Sequence, residues 1–172
     1  MKFLKAVFCG STLLFVSVFA QAQDSGYYGA ASLAQLNVDT ELEGAPSFTP
    51  HTMNLMLGYR YSNSLSAEAR YGFGVHSSSD KGTKFETDYT ASILAKPRLY
   101  LSPDVALYLT GGFSRGKFTV GGQNTTLNSI SYGGGVQYDH NPRTTYFIDW
   151  IKLIDKDEYT IDALNIGVTY RF

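Results

Sequence analysis

Apolar and polar side chains alternate with a period of two along most of this chain, and that pattern restricts the fold most. Over residues 53–61 the odd positions are Met53, Leu55, Leu57, Tyr59 and Tyr61. Leu65, Ala67, Ala69, Tyr71, Phe73 and Val75 alternate with Ser66, Glu68, Arg70, Gly72 and Gly74. Tyr89, Ala91, Ile93, Ala95, Pro97, Leu99 and Leu101 alternate with a set that includes Thr90, Ser92, Lys96 and Arg98. The pattern recurs over residues 105–113, 129–138, 146–150 and 164–172. Successive side chains of a strand point to opposite faces, so a period of two means strands. No window after the N-terminal segment holds 18 consecutive apolar residues, and no 3.6-residue stripe appears.

With residues 27–38, whose parity the pattern leaves open, the chain offers eight strands. Each of the other seven supplies about nine to eleven residues, the length a tilted strand needs to cross a bilayer. The second face is mostly Gly, Ser, Thr, Asn and charge, which cannot pack a dry core. The apolar face must then point outward, into lipid. The charge content agrees. Charged residues are 17% of the chain, against about 25% in soluble domains.

The gaps alternate long and short: 39–50, 63–65, 77–86, 102–104, 116–126 and 139–143, with a short acidic 155–158 last. Short turns on one side and long loops on the other fit an eight-stranded antiparallel up-and-down transmembrane β-barrel, an all-β fold. Its termini and short turns are expected in the periplasm, its long loops outside. Tyr59, Tyr61, Tyr138, Tyr146, Tyr170 and Phe172 are expected at the periplasmic rim. Tyr71, Phe73, Tyr89 and Phe113 lie toward the other rim, where rings with polar tips favour the interface.

The N-terminal segment reads separately. Lys2 and Lys5 precede an uncharged apolar run from Ala6 to Ala20, then Ala20-Gln21-Ala22. This is the layout of a secretory signal, with residues 1–22 removed and a barrel domain over 23–172. Removal takes Lys2 and Lys5, leaving 12 bases against 15 acids, a net charge of −3. That balance argues against nucleic-acid binding. It also takes Cys9, the only cysteine, so the mature chain has no disulfide, thiolate nucleophile or thiolate metal site.

Gly26-Tyr27-Tyr28-Gly29-Ala30-Ala31-Ser32-Leu33 is similar to the first strand of small outer-membrane barrels of the OmpA-type transmembrane domain and OmpX/Ail-like family. Gly135-Val136-Gln137-Tyr138-Asp139 followed by Tyr146-Phe147-Ile148-Asp149-Trp150 resembles its sixth and seventh strands. Gly167-Val168-Thr169-Tyr170-Arg171-Phe172 resembles the terminal signal read by the barrel-assembly machinery, carried by Tyr170 and Phe172. The resemblance implies a monomer in the bacterial outer membrane, among lipid and lipopolysaccharide. The family includes surface adhesins, structural anchors, narrow channels and a few lipid-modifying enzymes. A structural or surface-interaction role through the outer loops is expected first. A narrow porin-like channel is the alternative, and a lipid A-modifying enzyme ranks third. A peptidoglycan-binding domain is not expected, so the anchoring role of full-length OmpA is not implied.

Eight strands enclose a bore that side chains can fill. The charges of inward parity are Arg60, Glu68, Arg70, Lys96, Arg98, Asp149 and Arg171, expected as a lumen charge network. If 63–65 is a three-residue turn, Arg60 lies opposite Glu68 as a cross-strand ion pair. Five bases against two acids would make any conducting path prefer anions, or call for an anionic ligand or water.

Other candidates carry less. His76-Ser77-Ser78 is a weak candidate for hydrolytic chemistry, so no enzyme activity and no cofactor are expected. His51 and His140 lack zinc-ligand spacing, so no metal is expected. Asp39, Glu41 and Glu43, with Asp157 and Glu158, could hold cations bridging lipopolysaccharide, although solvation of a loop is the commoner use. Arg115, Lys117 and Lys152 fall near the outer rim, within reach of lipid phosphates. Asn124-Thr125-Thr126 matches a glycosylation acceptor but indicates little beyond exposure. Pro97 must sit at a bulge or forgo a ladder bond. Lys152 has lipid-facing parity, so it must snorkel at the interface or follow a bulge.

Overall fold

A computed structural model describes residues 25–40, 47–80, 82–156 and 159–172. Residues 1–22, Glu41, Glu43, Asp157 and Glu158 lie outside the described residues. The strands are β1 (Gly26–Thr40), β2 (His51–Ser62), β3 (Leu65–His76), β4 (Ser78–Asp80), β5 (Thr83–Tyr100), β6 (Val105–Val120), β7 (Gln123–Asp139), β8 (Thr144–Lys156) and β9 (Tyr159–Arg171). Short β4 continues the line of β3 past a break at Ser77, so the barrel wall has eight staves. Neighbours pair antiparallel in chain order, β9 returns to β1, and β3 pairs with β5. The sheet is closed.

Register sets the girth. From Tyr27, the ladder runs through Tyr59, Ala67, Ala95, Gly111, Tyr132, Lys152 and Asp162 and returns to β1 at Asn37, ten residues on. Eight staves with that stagger tilt by roughly 40° and enclose a barrel of roughly 8 Å backbone radius. Such a bore has room for side chains and little else.

Across the middle of the barrel the polarity is inverted. Outward-facing Ile93 is 72% exposed while inward-facing Lys96 on the same strand is 5% exposed. Leu33, Leu55, Leu57, Leu109, Ile130 and Ile166 are also exposed, whereas Ser32, Asn54, Ser92, Thr110, Ser114 and Asn165 are buried. In water this arrangement would leave a continuous greasy belt, far beyond the patch size of soluble monomers. In lipid it is the low-energy one. Aromatic rings collect at the end bearing Gly26 and Phe172, here called the turn end. Tyr27 and Tyr59 lie 4.9 Å apart, Tyr59 and Tyr61 4.8 Å, and Tyr170 and Phe172 5.9 Å. Toward the opposite, loop end, Tyr71 stacks on Tyr89 at 6.1 Å.

The parity of β1 is now explained. Its even residues Tyr28, Ser32, Ala34, Leu36 and Val38 face inward and are buried. Toward the turn end the outward positions are the apolar ones, such as Leu33. Beyond position 34 the outward residues are Gln35, Asn37 and Asp39, and the apolar residues turn inward. β6 makes the same switch: outward Phe113 gives way to Arg115, Lys117 and Thr119, while inward Ser114 gives way to Phe118 and Val120. The strands outgrow the bilayer there, and water restores the ordinary rule of apolar inside and polar outside.

Two expected loops are mostly strand. Ser78–Asp80 pairs with residues 83–85, and β6 pairs with β7 up to Val120↔Gln123. The hairpin closes on Gly121 and Gly122, whose φ angles of 56° and 85° are left-handed; a two-residue turn of this kind favours glycine.

The turn after β2 differs from the three-residue expectation as well. Ser62 pairs with Leu65 around a two-residue turn, with a register shift between Arg60 and Ser62. Gly58 therefore lies opposite Glu68, and Arg60 lies opposite Ser66, so the expected Arg60–Glu68 ion pair does not form. Pro97 pairs with Leu65, while neither Lys96 nor Pro97 pairs with β6, the forgone ladder bonds that its missing N–H predicts. Lys152 precedes a register shift between Lys152 and Ile154 and pairs across from Asp162.

Candidate functional site

The lumen is filled in three tiers by inward residues of different chemistry. At the loop end the inward-facing side chains form an apolar cluster. It includes Leu36 and Val38 of β1, Phe85 and Leu94 of β5, Phe118 of β6, Ile151 and Ile154 of β8 and Ile161 of β9. Phe48 enters from the segment after β1. It is held by a two-way backbone pairing with Val38, at 2.9 and 3.2 Å. Its ring stacks on Phe85 at 5.3 Å, and Phe85 meets Phe118 at 5.4 Å. A dry core thus forms at this end, which the polar character of the inward face did not foretell.

The middle tier is ionic. The Nε of Arg70 donates to Oε1 of Glu68 at 2.5 Å, and its terminal nitrogens donate to Asp149 at 3.3 and 2.8 Å. The Tyr28 hydroxyl donates to Glu68 and the Tyr108 hydroxyl to Asp149, both at 2.9 Å. Lys96 Nζ lies 3.8 Å from Glu68 and 3.9 Å from the centroid of the Tyr108 ring. Asn165 donates to Asp149 at 2.8 Å and accepts from Asn54 at 2.9 Å, and Asn54 also donates to Ser32. Two acids and two bases balance, and their lone pairs are taken up by neutral donors, as buried charge requires. Between this tier and the apolar cluster lies a cavity of about 10 Å³, room for one water at most.

The third tier, at the turn end, is open. A vestibule of about 780 Å³ is lined by Arg60, Tyr100, Asp139 and Arg171 together with the turns at 102–104 and 140–142. Arg98 reaches toward it from β5 and donates to the Ser62 carbonyl at 3.4 Å. Of the seven sequence-derived lumen charges, Glu68, Arg70, Lys96 and Asp149 meet in the middle tier. Arg60, Arg98 and Arg171 form a separate group below.

Sequence reasoning missed Tyr28, Tyr108, Asn54 and Asn165. Tyr108, Asn54 and Asn165 already had inward parity. The remaining signal for Tyr28 is Gly58: a Cβ there would collide with the Tyr28 ring, so the glycine makes the space in which the phenol reaches Glu68.

Outside, at the loop end, β7 outruns its neighbour β8. Its pairing to β8 begins at Tyr132↔Lys152, whereas its pairing to β6 extends to Gln123. Ser129 and Ser131 are tied to Asp155 and Leu153 by hydrogen bonds from their hydroxyls. Among the described residues, 123–128 have a strand partner on one side alone. His51 and His76 lie across from each other, with ring centroids 6.1 Å apart. Among the described residues, His76 makes no hydrogen bond to Ser77 or Ser78, and no group of three His, Cys, Asp or Glu side chains is arranged for a metal. Lys117 pairs with Asp88 at 3.5 Å and Lys152 with Asp155 at 3.8 Å. Exposed Arg115 edges an outward groove with Ile93, Phe113, Ile130 and Lys156.

A closed eight-stave barrel with a lipid-type exterior is one part of the identification, and a family model supplies the other. The outer membrane protein beta-barrel domain matches residues 6–172. The chain belongs to that family. It is an integral β-barrel of the bacterial outer membrane. No curated protein matches it. Among solved structures, Neisserial surface protein A shares 22% identity, covering 87% of this chain and 100% of that one, with a TM-score of 0.68. Ail, the attachment invasion locus protein of Yersinia pestis, in complex with the heparin analogue sucrose octasulfate, shares 18% identity over 87% and 100%, with a TM-score of 0.62. OprG from Pseudomonas aeruginosa shares 10% over 88% and 97%, with a TM-score of 0.61. At these identities the likeness is one of fold.

Proposed function

We propose that this outer-membrane barrel is a non-conducting surface-interaction protein that recruits partners at its loop end by strand addition. The edge of residues 123–128, unpaired toward β8 among the described residues, carries this reading. The edge segment Gln-Asn-Thr-Thr-Leu-Asn has no charge and no proline, the devices by which edge strands usually repel other chains. Its N–H and C=O groups without a partner among the described residues suit an extended segment of a partner. The name of Ail, with its words attachment and invasion, points the same way.

In this reading the turn end, with Phe172, faces the periplasm and the tall hairpins face outward, as short and long connections do in such barrels. Tyr170 and Phe172 keep their proposed role as the assembly signal. The closed wall offers no edge within the membrane, which favours a monomer. Arg115 and Lys156 above Ile93, Phe113 and Ile130 suit a lipopolysaccharide phosphate with acyl chains below it. Catalysis has no support at His76, which has no serine hydrogen-bond partner among the described residues.

The test is adhesion. Cells displaying the barrel should bind a cell monolayer, and Thr126→Lys with Asn128→Lys should abolish that binding while the barrel stays folded. Undiminished adhesion of the double variant would overturn strand addition.

A further inference from the structure

The turn-end vestibule holds the charges that the rest of the lumen leaves unmatched. Arg60 and Arg98 are 5% and 8% exposed, and the Nε of each has no hydrogen-bond partner among the described residues. Arg171 joins them electrostatically from β9. Among the described residues, none of the three forms an ion pair, and no hydrogen bond from the side chain of Arg60 or Arg171 is present. Glu68 and Asp149 cannot help, being engaged by Arg70, Lys96 and the two phenols. Asp139 is also committed to the wall: it accepts from Tyr100 at 2.9 Å, Thr145 at 2.6 Å and Gln137 at 3.3 Å. Asp104 lies on an exposed turn at the rim. Three guanidiniums against these two carboxylates leave a positive excess.

Strand register explains why they converge. Arg60 lies opposite Gly26 and Arg171 opposite Tyr28, so both flank the start of β1. Arg98 comes from β5, next to the Pro97 break, and reaches back to the end of β2. The guanidinium is a planar fork that matches two oxygens of one anion. Buried guanidinium donors without an acceptor are costly, and an oxyanion supplies both the acceptors and the charge.

We propose that the vestibule is a binding site for a small oxyanion of the phosphate class, held by Arg60 and Arg171, which line it, with Arg98, bonded to the Ser62 carbonyl, adding charge beside them, and entering from the turn end. The site lies at the opposite end from the β7 edge and does not depend on the surface role.

The test is an NMR titration of the folded barrel in non-ionic detergent with inorganic phosphate, with chloride at matched ionic strength as reference. The Nε–H resonances of Arg60, Arg98 and Arg171 should shift together and saturate with phosphate. Arg60→Gln should weaken binding about tenfold, the loss of one charge-assisted hydrogen bond. Lys84→Gln, at an exposed loop-end lysine paired with Glu86, should leave it unchanged. If Arg60→Gln does not fold, Arg171→Gln at the less buried position is read by the same titration. Resonances that do not move, that move equally with chloride, or that titrate unchanged in the folded arginine variant would overturn the site.

Discussion

Arg70 and Asp149 are 79 residues apart in sequence, yet a terminal nitrogen of the arginine lies 2.8 Å from Oδ2 of the aspartate. Because Arg70 also holds Glu68, one guanidinium joins β3 to β8 across the bore. Replacing it with Leu would leave two buried carboxylates facing one lysine. Breaking a buried pair from one side costs about 3–5 kcal/mol. Urea unfolding of the barrel in lipid vesicles should show a loss of that size for Arg70→Leu. A loss below about 1 kcal/mol would mean that the tier is hydrated and its charges are not mutually dependent.

The apolar cluster makes a second prediction. Phe118 is fully buried against Phe85, and truncating such a ring costs about 3–5 kcal/mol. Phe118→Ala should destabilise by that amount. It should also speed amide exchange at Val38, whose pairing with Phe48 depends on the same cluster, more than at Ile148 in the membrane band.

The filled lumen predicts electrical silence. Planar-bilayer recordings of the folded protein should show no single-channel steps, because an apolar plug and an ion-paired tier lie in series along the bore. Steps whose ion selectivity reversed with Lys96→Glu would establish the channel reading instead.

Gly58 and Tyr28 should be coupled. Gly58→Val drives a side chain into the phenol that bonds Glu68. The single variant should lose about 1–3 kcal/mol to overpacking. Adding Tyr28→Ala should recover part of that loss, a favourable interaction term in the double-mutant cycle.

The fold was legible wherever one rule governed a strand from end to end. Leu65–Val75 and Leu164–Phe172 alternate inside the bilayer, and their parity reads directly. Residues 27–38 resisted because two rules meet within them: Leu33 faces lipid, Leu36 faces a dry core, and the switch near position 34 erases the period. The same change of surroundings made 116–126 look like loop, since Lys117 and Thr119 are outward residues in water. The inward set of charges was readable from parity. Their partners were not: the two-residue turn at 63–64 and the register shift after Arg60 together move the ladder by two, so Glu68 lies opposite Gly58 and pairs with Arg70 two residues along its own strand. Tyr28 reaches Glu68 over Gly58, two staves away, and Asn54 bonds Ser32 opposite it and Asn165 two staves away, so these partners depend on the register of successive ladders, which no pattern along one strand encodes.

The central claim is the reversal of polarity along the barrel, and accessibility of its outer face tests it most directly. Single-site probes on the folded protein in bilayers should report a lipid-soluble paramagnetic quencher at Ile93, Leu109 and Ile166. A water-soluble quencher should reach Asn37, Lys117 and Asn124 instead. Water-soluble quenching at Ile93, Leu109 and Ile166 equal to that at Asn37 would contradict the account.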